Sequence, residues 1–301
     1  MKLGFLSAIL PEYSFDEVID YAAQLRFKSV ELACWPKGKA ERRYAGVTHI
    51  DVDSYDKAAI QARLAATGVS ISGLGYYPNP LTPDLGQRGV FIEHLKKVIK
   101  ASADLDVNIV NTFVGKDRFA SIDDNFLEFE KVWPDIIKFA QDLGVTVCIE
   151  NCPMYFTKDE APGGNNLACT PAIWERMFSI IDSENFALNY DPSHLLWMQM
   201  DYIAPIYTFA EKIKHFHVKD AKFYKDRFDK AGPFAYPLDY HQPKLPGLGD
   251  IEWGRVVCAL NDIRYKGGLI IEIEDRAYEE DLAARLHSIA LVKNFMSQYV
   301  L

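Results

Sequence analysis

Short apolar segments alternate along the chain with longer segments in which apolar residues recur every three or four positions. The short segments are rich in Val, Ile and Phe and are nearly continuous, which is typical of strands buried on both faces. The longer segments have the spacing of amphipathic helices. The pattern predicts strands at 2–8, 29–33, 69–75, 108–114, 145–150, 186–191, 213–218 and 269–274.

End signals support the helices predicted between these strands. Ser14 and Glu17 have the spacing of a capping box. Gly68 suits the position just after a helix, and Thr170 before Pro171 has the order of a cap and a first helical residue. The predicted helices cover 14–26, 55–68, 89–106, 123–144, 170–181, 202–212, 251–263 and 278–299.

Strict alternation of strand and helix predicts the α/β class, with parallel strands. Right-handed crossovers close eight such units into a (β/α)8 TIM barrel. A doubly wound open sheet is the alternative, but it usually has a glycine-rich turn after its first strand, and residues 8–14 (AILPEYS) contain no glycine. We therefore expect residues 1–301 to form one barrel domain. Two long connections, 34–52 and 219–251, follow strands and should lie at the C-terminal face, where barrel enzymes hold their active sites.

Composition narrows the class of protein. The formal net charge is −9, which disfavours nucleic acid as a partner because phosphate contacts need a positive surface. The sequence shows neither a signal-peptide pattern nor an apolar stretch long enough to span a membrane, so we expect no membrane association. The cysteines are odd in number, lack metal-finger spacing and indicate reduced thiols in a cytoplasmic protein: Cys34, Cys148, Cys152, Cys169 and Cys258.

Ligand-type residues stand at the ends of the last four predicted strands: Glu150, Asp191, His217 and Glu272. Side chains at the C-terminal ends of barrel strands converge on one rim. Three carboxylates there would repel one another unless a cation were bound. The oxygen and nitrogen ligands suit a single divalent ion of Mn2+, Mg2+, Co2+ or Zn2+.

Neighbouring residues leave alternatives open. His215 shares a strand face with His217, and we choose His217 because it lies nearer the strand end. Glu272 is chosen over Glu274 because it lies within the apolar run. His194, three residues after Asp191, is either a further ligand or a hydrogen-bond donor to the substrate. Taken alone, a Glu or Asp at a strand end more often has an ordinary structural role, and a lone His has one at least as often.

Several segments resemble the xylose isomerase-like barrel superfamily. They are IEN (149–151), DPSH (191–194), HVKD (217–220), PGLGDIEW (246–253) and IIEIED (270–275). The superfamily includes ketose 3-epimerases, inosose dehydratases, hydroxypyruvate isomerases and AP endonucleases.

The resemblance implies one divalent ion held by the four rim residues. It also implies that Glu150 and Glu272 face opposite sides of a substrate carbon, where one removes and the other returns a proton through a metal-stabilised enediolate. His194 is the third catalytic candidate. A divalent ion stabilises the oxyanion that develops in such a reaction.

Two departures from the superfamily bear on the substrate. Ketose 3-epimerases usually carry an Arg soon after the strand-seven His, so Lys219, Lys222 or Arg227 would have to replace it. The AP endonucleases need further histidines after strands three and four, and 73–80 and 111–118 contain none. Asp239 and His241 are similar to the Asp-x-His pair of those nucleases, and are either loop residues or substrate contacts.

Other residues on the expected active face could bind substrate. Trp35, Tyr76, Tyr77 and Phe113 stand at strand ends and could form the floor of a sugar pocket, or fill the barrel rim. The basic segments 37–43 and 219–230 could attract an anionic substrate, or form solvated loops. The predicted substrate-binding residues are Trp35, Tyr76, Phe113, His194, Lys219 and His241.

The functional hypothesis is a metal-dependent sugar isomerase or epimerase whose partner is a small sugar, in a homo-oligomer. A lyase or dehydratase acting on a keto-sugar or keto-glycoside would use the same metal site. A non-catalytic sugar-binding barrel is the third possibility, because the fold by itself does not select a chemistry.

Overall fold

The computed structural model describes residues 1–38, 45–155 and 157–300. The strands in these ranges are β1 (Lys2–Leu6), β2 (Ser29–Ala33), β3 (Ser70–Gly75), β4 (Ile109–Thr112), β5 (Thr146–Glu150), β6 (Phe186–Tyr190), β7 (Ile213–Val218), β8 (Asp220–Phe223), β9 (His241–Lys244) and β10 (Gly268–Ile271). Eight of them form a closed barrel in the order β1, β10, β7, β6, β5, β4, β3, β2, and β8 pairs with β9 in a separate sheet. All neighbouring strands of the barrel are parallel.

Helices separate the strands and cover the outside of the barrel. They are α1 (Phe15–Gln24), α2 (Lys57–Thr67), α3 (Leu85–Asp104), α4 (Ile122–Asp142), α5 (Pro171–Ile180), α6 (Pro192–Trp197), α7 (Ala204–Thr208), α8 (Lys225–Ala231), α9 (Trp253–Asp262) and α10 (Leu282–Met296). The predicted α/β class and the (β/α)8 TIM barrel are confirmed. None of the helices in the described ranges is both long and apolar enough to cross a bilayer.

Local end signals predicted some helix boundaries better than others. The capping box between Ser14 and Glu17 is present, and Gly68 ends α2 with a left-handed φ of 70°. Thr170 does precede α5, but its side chain makes no capping hydrogen bond. The helix predicted over 202–212 is wrong in length, since α7 covers only Ala204–Thr208. The chain has to turn before β7 begins at Ile213, which leaves no room for a longer helix.

The connection 219–251 is more ordered than the sequence predicted. It contains the antiparallel pair β8 and β9, with Asp220 opposite Lys244 and Phe223 opposite His241. Ala221 of β8 and Tyr240, which precedes β9, form a small apolar cluster with Trp197. The strands are only four residues each, and β9 (HQPK) contains a proline and no alternating apolar positions, which is why no pattern predicted the pair. The hairpin forms one wall above the C-terminal end of the barrel.

Candidate metal centre and cavity

Four strand-end side chains converge at the C-terminal rim of the barrel. Glu150 is the last residue of β5, and His217 is the penultimate residue of β7. Asp191 follows β6, and Glu272 follows β10, where its backbone N–H still donates to Val218. Each residue contributes one ligand atom to a group whose members all lie within 4.8 Å of one another. His217 and Glu272 belong to this group, whereas His215 and Glu274 do not.

The polar atoms of this group point at a common space. Asp191 Oδ2, His194 Nε2, His217 Nδ1 and Glu272 Oε2 are buried and have no hydrogen-bond partner among the described residues. His217 Nδ1 lies 3.0 Å from Glu272 Oε2 and 3.5 Å from Glu150 Oε1. Buried polar atoms without partners are costly. A divalent cation would satisfy them, so the donor set of carboxylates and one imidazole fits the predicted ion.

The charged side chains of this group shift one another's pKa values. Burial raises the pKa of Glu150, but the His194 and His217 imidazoles, whose nitrogens lie 3.6 and 3.5 Å from its Oε1, outweigh burial and hold that pKa well below the ordinary value. Burial also raises the pKa of Glu272, and the nearby Glu150 charge adds to this effect, while Lys219 opposes it; the net pKa is raised. Burial opposes the imidazolium form of His217, but the surrounding carboxylates, Glu31 first, raise its pKa well above the ordinary value. The cluster therefore attracts positive charge.

His194 lies over the same group. Its Nε2 is 3.2 Å from Asp191 Oδ2 and 3.6 Å from Glu150 Oε1. On its other side, the Trp197 indole N–H donates to His194 Nδ1 at 3.3 Å. Burial opposes a charge on His194, but Cys152 and Asp191 favour it and raise its pKa.

A cavity of about 880 Å3 opens above the metal group. The predicted residues Trp35, Phe113, Lys219, His194 and His241 line it together with Glu150, His217 and Glu272. Its outer wall includes Tyr155, Tyr236 and Gln242, and His241 stacks on Trp197 with ring centroids 4.9 Å apart. The volume is in the upper part of the range of about 300–1,000 Å3 that is usual for small-molecule sites.

Tyr76, which the sequence predicts to bind substrate, does not line this cavity. Tyr76 is 1% exposed and packs between Trp35 and His94, with ring centroids 4.9 and 4.6 Å away. Tyr77 lines the cavity in its place. Successive residues of an extended segment point to opposite sides, so only one of two adjacent tyrosines can face the cavity.

Of the three basic residues proposed to replace the epimerase Arg, Lys219 alone lines this cavity within the described chain. Its Nζ lies 3.2 Å from Glu272 Oε1 and 2.7 Å from Glu274 Oε2. Lys222 pairs with Asp250 at 2.6 Å, and Arg227 stacks on the Tyr224 ring. Most of the basic character of 219–230 is therefore turned away from the cavity.

The Asp239 and His241 pair and the basic segment 37–43 were also candidates for the active face. Asp239 is an exposed loop residue 3.5 Å from Lys158, whereas His241 faces the cavity. In the basic segment 37–43, Lys37 pairs with Asp51 at 2.7 Å, and 39–43 lie outside the described residues.

Sequence reasoning missed Glu31 and Asn189, which lie with His215 in the barrel interior next to His217. Glu31 is fully buried in β2, and its Oε2 lies 2.8 Å from His217 Nε2. Asn189 Oδ1 is 2.9 Å from His215 Nδ1, and the Asn189 amide nitrogen is 3.1 Å from His217 Nε2. The available signal was a polar residue within an otherwise apolar strand, SVELA for Glu31 and FALNY for Asn189.

Comparisons with known proteins agree with the architecture. Residues 19–293 match the family model described as xylose isomerase-like TIM barrel. An uncharacterised protein of Bacillus subtilis, YfiH, is 22% identical over 99% of this chain and 100% of its own length. An inosose dehydratase of Clostridium tetani is 26% identical, over 48% of this chain and 48% of its own length.

Solved structures share the fold at low identity. A D-psicose 3-epimerase crystallised in the presence of D-fructose has a TM-score of 0.72 at 18% identity, covering 100% of this chain and 99% of the other. The IOLI protein with a bound zinc atom has a TM-score of 0.70 at 16% identity, covering 99% of each chain. The probable 3-DHS dehydratase AsbF of Bacillus anthracis has a TM-score of 0.69 at 14% identity, again covering 99% of each. The TM-scores establish a common fold, and the low sequence identity leaves the reaction open.

Proposed function

We propose, from the premise that the chain belongs to the xylose isomerase-like TIM barrel family, that it is a divalent-metal-dependent isomerase or epimerase of a small sugar or keto-sugar. The observation that carries the proposal is the convergence of unpartnered buried atoms at one point of the cavity floor, flanked by two carboxylates. The described fold neighbours include ketose epimerases and a zinc-containing protein, which supports this class of chemistry.

Glu150, Asp191, His217 and Glu272 would hold the cation. When bound, a divalent ion would act as a Lewis acid that stabilises negative charge developing on a substrate oxygen. Glu150 Oε1 and Glu272 Oε2 both lie close to His217 Nδ1, at 3.5 and 3.0 Å. This arrangement suits one carboxylate to remove a proton from the carbon next to a carbonyl and the other to return it.

His194 suits the role of a hydrogen-bond donor better than that of a fifth ligand. An indole N–H can only donate, so in neutral His194 the Nδ1 atom that faces Trp197 is the acceptor, and the proton is on Nε2. A nearby cation disfavours a second proton on the ring. Nε2–H, which lies at the cavity floor, is then available to a substrate oxygen.

Lys219 would stabilise the negative charge of Glu272 and Glu274 at the side of the cavity. His241 contributes an acceptor, because its Nδ1 donates to the Pro237 carbonyl at 2.7 Å and burial lowers its pKa to about 4. Neutral His241 therefore presents an unprotonated Nε2, which suits a sugar hydroxyl.

A dehydratase is the second candidate. It is favoured by the sequence similarity to inosose dehydratases, although the match to the Clostridium tetani protein spans about half of each chain. The first step is the same removal of a proton next to a carbonyl. The outcome differs because a hydroxyl on the next carbon leaves as water, with a proton from an acid of the site.

The reaction class is tested by incubating the Mn2+-loaded protein in D2O with D-psicose, D-tagatose, D-fructose, inosose and 3-DHS. Deuterium at an inverted carbon, or next to a migrated carbonyl, supports an isomerase or epimerase. An unsaturated product formed with loss of water supports the dehydratase. If none of these compounds exchanges a carbon-bound proton, the result contradicts both candidates.

The residue assignment is tested with Glu150→Gln, and with Asp239→Asn as the matched control in an exposed loop. We expect Glu150→Gln to remove turnover while the fold persists, because an amide cannot accept the proton. Retained turnover would refute the assignment.

We further propose that the protein works as a homo-oligomer in the cytoplasm. All five cysteines are free thiols, which suits a reducing compartment. Light scattering of the purified protein tests the subunit count.

A further inference from the structure

Glu31 is a buried carboxylate that reaches across the barrel interior. It lies in the middle of β2 and is fully buried, and it is absent from the residues that line the cavity. In the barrel order, β1 and β10 separate β2 from β7. The Glu31 carboxylate nevertheless lies 2.8 Å from Nε2 of His217, a residue 186 positions later in the chain. A contact of this kind is made only once the barrel has closed.

The two ring nitrogens of His217 face different environments. Nε2 has its shortest contact, 2.8 Å, with the Glu31 carboxylate, which accepts hydrogen bonds and has no proton to donate when ionised, while the Asn189 amide nitrogen lies farther away, at 3.1 Å. Nδ1 faces Glu272 and Glu150 and has no hydrogen-bond partner among the described residues. In a neutral imidazole one nitrogen carries the proton and the other carries the lone pair. The contact with Glu31 therefore selects the form with the proton on Nε2 and the lone pair on Nδ1.

The surroundings of Glu31 hold its carboxylate in this position. The Tyr77 hydroxyl donates to Oε1 at 2.5 Å, and Oε2 faces His217. Gly75 leaves the space that the carboxylate occupies, because a Cβ there would lie 2.6 Å from Oε1. Both oxygens thus have defined partners, which limits rotation of the side chain.

We propose that Glu31 is a positioning residue that orients His217 and directs its Nδ1 lone pair at the cation. This inference rests on the proposed metal function and adds a residue outside the ligand set. Ligand histidines in metal sites commonly donate their other ring N–H to a carboxylate, which fixes the ring and strengthens the ligand. Glu31 would act through His217 without touching the cation or the substrate.

The first test is Mn2+ affinity, measured by calorimetric titration of the metal-free protein. We expect Glu31→Gln to bind Mn2+ about 10- to 100-fold more weakly than wild type, which is the usual range for loss of such a partner. Ser72→Ala is the matched control, because Ser72 Oγ lies 3.1 Å from His215 Nε2 in the same region and has no bond to His217. Its affinity should match that of wild type.

Three affinity results would overturn the inference in different ways. Unchanged affinity in Glu31→Gln would exclude a positioning role while leaving the metal site intact. An equal loss in Ser72→Ala would show that affinity follows any disturbance of the barrel floor. Wild-type protein that binds no Mn2+ would remove the proposed metal centre itself, and with it this inference.

The second test needs no variant, and it decides the question if Glu31→Gln does not fold. Nitrogen-15 labelling of the seven histidines, with Zn2+ as a diamagnetic ion, reports which ring nitrogen of His217 carries the proton. We expect the proton on Nε2 in the wild type and, where Glu31→Gln folds, a mixed or faster-exchanging signal in that variant. A proton on Nδ1 in the Zn2+-bound wild type would overturn the inference.

Discussion

The Asp220 side chain, just after β7, binds the loop 247–253 through hydrogen bonds. Removing this carboxylate should lower the free energy of unfolding measurably. Its Oδ1 accepts hydrogen bonds from the backbone N–H groups of Ala221 and Ile251, at 2.8 and 3.1 Å. Its Oδ2 accepts from the Gly247 N–H and the Trp253 indole, at 3.0 and 2.9 Å. The carboxylate is fully buried.

The change Asp220→Asn keeps the shape of the side chain and removes half of its acceptors. One oxygen still accepts two bonds, but the new amide group then faces two donors that are left unpaired. An unsatisfied buried donor costs about 1–3 kcal/mol. Two of them predict a loss of roughly 2–6 kcal/mol in the free energy of unfolding. The Asn side chain has little room to move to new partners, because the Gly249 backbone packs so closely that a Cβ there would lie 2.1 Å from Asp220 Oδ1.

Equilibrium unfolding in urea at neutral pH measures this loss. Asp250→Asn is the matched control in the same loop, because Asp250 is partly exposed and accepts a single backbone bond, from Phe223 at 2.9 Å, beside its pair with Lys222. We expect the control to lose about 1 kcal/mol. A loss below 1 kcal/mol in Asp220→Asn, or equal losses in the two variants, would show that Asp220 does not fasten the loop.

Three further predictions concern acid stability, the Trp197 contact and the cation. Burial lowers the pKa of His49 from 6.5 to about 4. Neutral His49 therefore contributes roughly 3 kcal/mol to the free energy of unfolding relative to the acid limit. This contribution is complete above about pH 6.5 and is lost as the pH falls towards 4, because the unfolded chain takes up the proton first. Urea unfolding should show a shallower pH dependence in His49→Gln, and an unchanged slope would contradict this. Trp197→Phe keeps an aromatic ring against His241 but removes the N–H that faces His194, so we expect kcat/KM to fall about 5-fold. An unchanged kcat/KM would show that this N–H does not contribute to catalysis. Chelation should lower the unfolding midpoint, and Mn2+ at about 100 times its Kd should restore about 2.7 kcal/mol, with no such response in Asp191→Asn.

Much of the fold was readable from the sequence because its signals are local. Continuous apolar segments separated by amphipathic ones predict a parallel sheet. The capping box at Ser14 and the glycine at Gly68 act within one turn of chain, and both are present in the structure. The ligand types at strand ends were visible for the same reason, since a parallel barrel brings equivalent ends to one rim.

The tertiary structure decided which of two neighbouring residues faces the site. Tyr77 lines the cavity and Tyr76 does not, although both follow the same strand. His217, and not His215, belongs to the group with Glu150, because its place on β7 is level with the rim. Side-chain direction depends on strand register and tilt, and these are set by pairing with other strands.

The local sequence marked Glu31 only as a polar residue in an apolar strand and did not reveal its partner or the pairing of β8 with β9. A single Glu within SVELA reveals a buried charge only after His217 is found beside it, 186 positions away. The β8–β9 pair likewise depends on packing against Trp197. Sequence alone determined the elements and the kinds of ligand, because these follow from periodicity. Barrel closure decided the partners, because it joins segments that are remote along the chain.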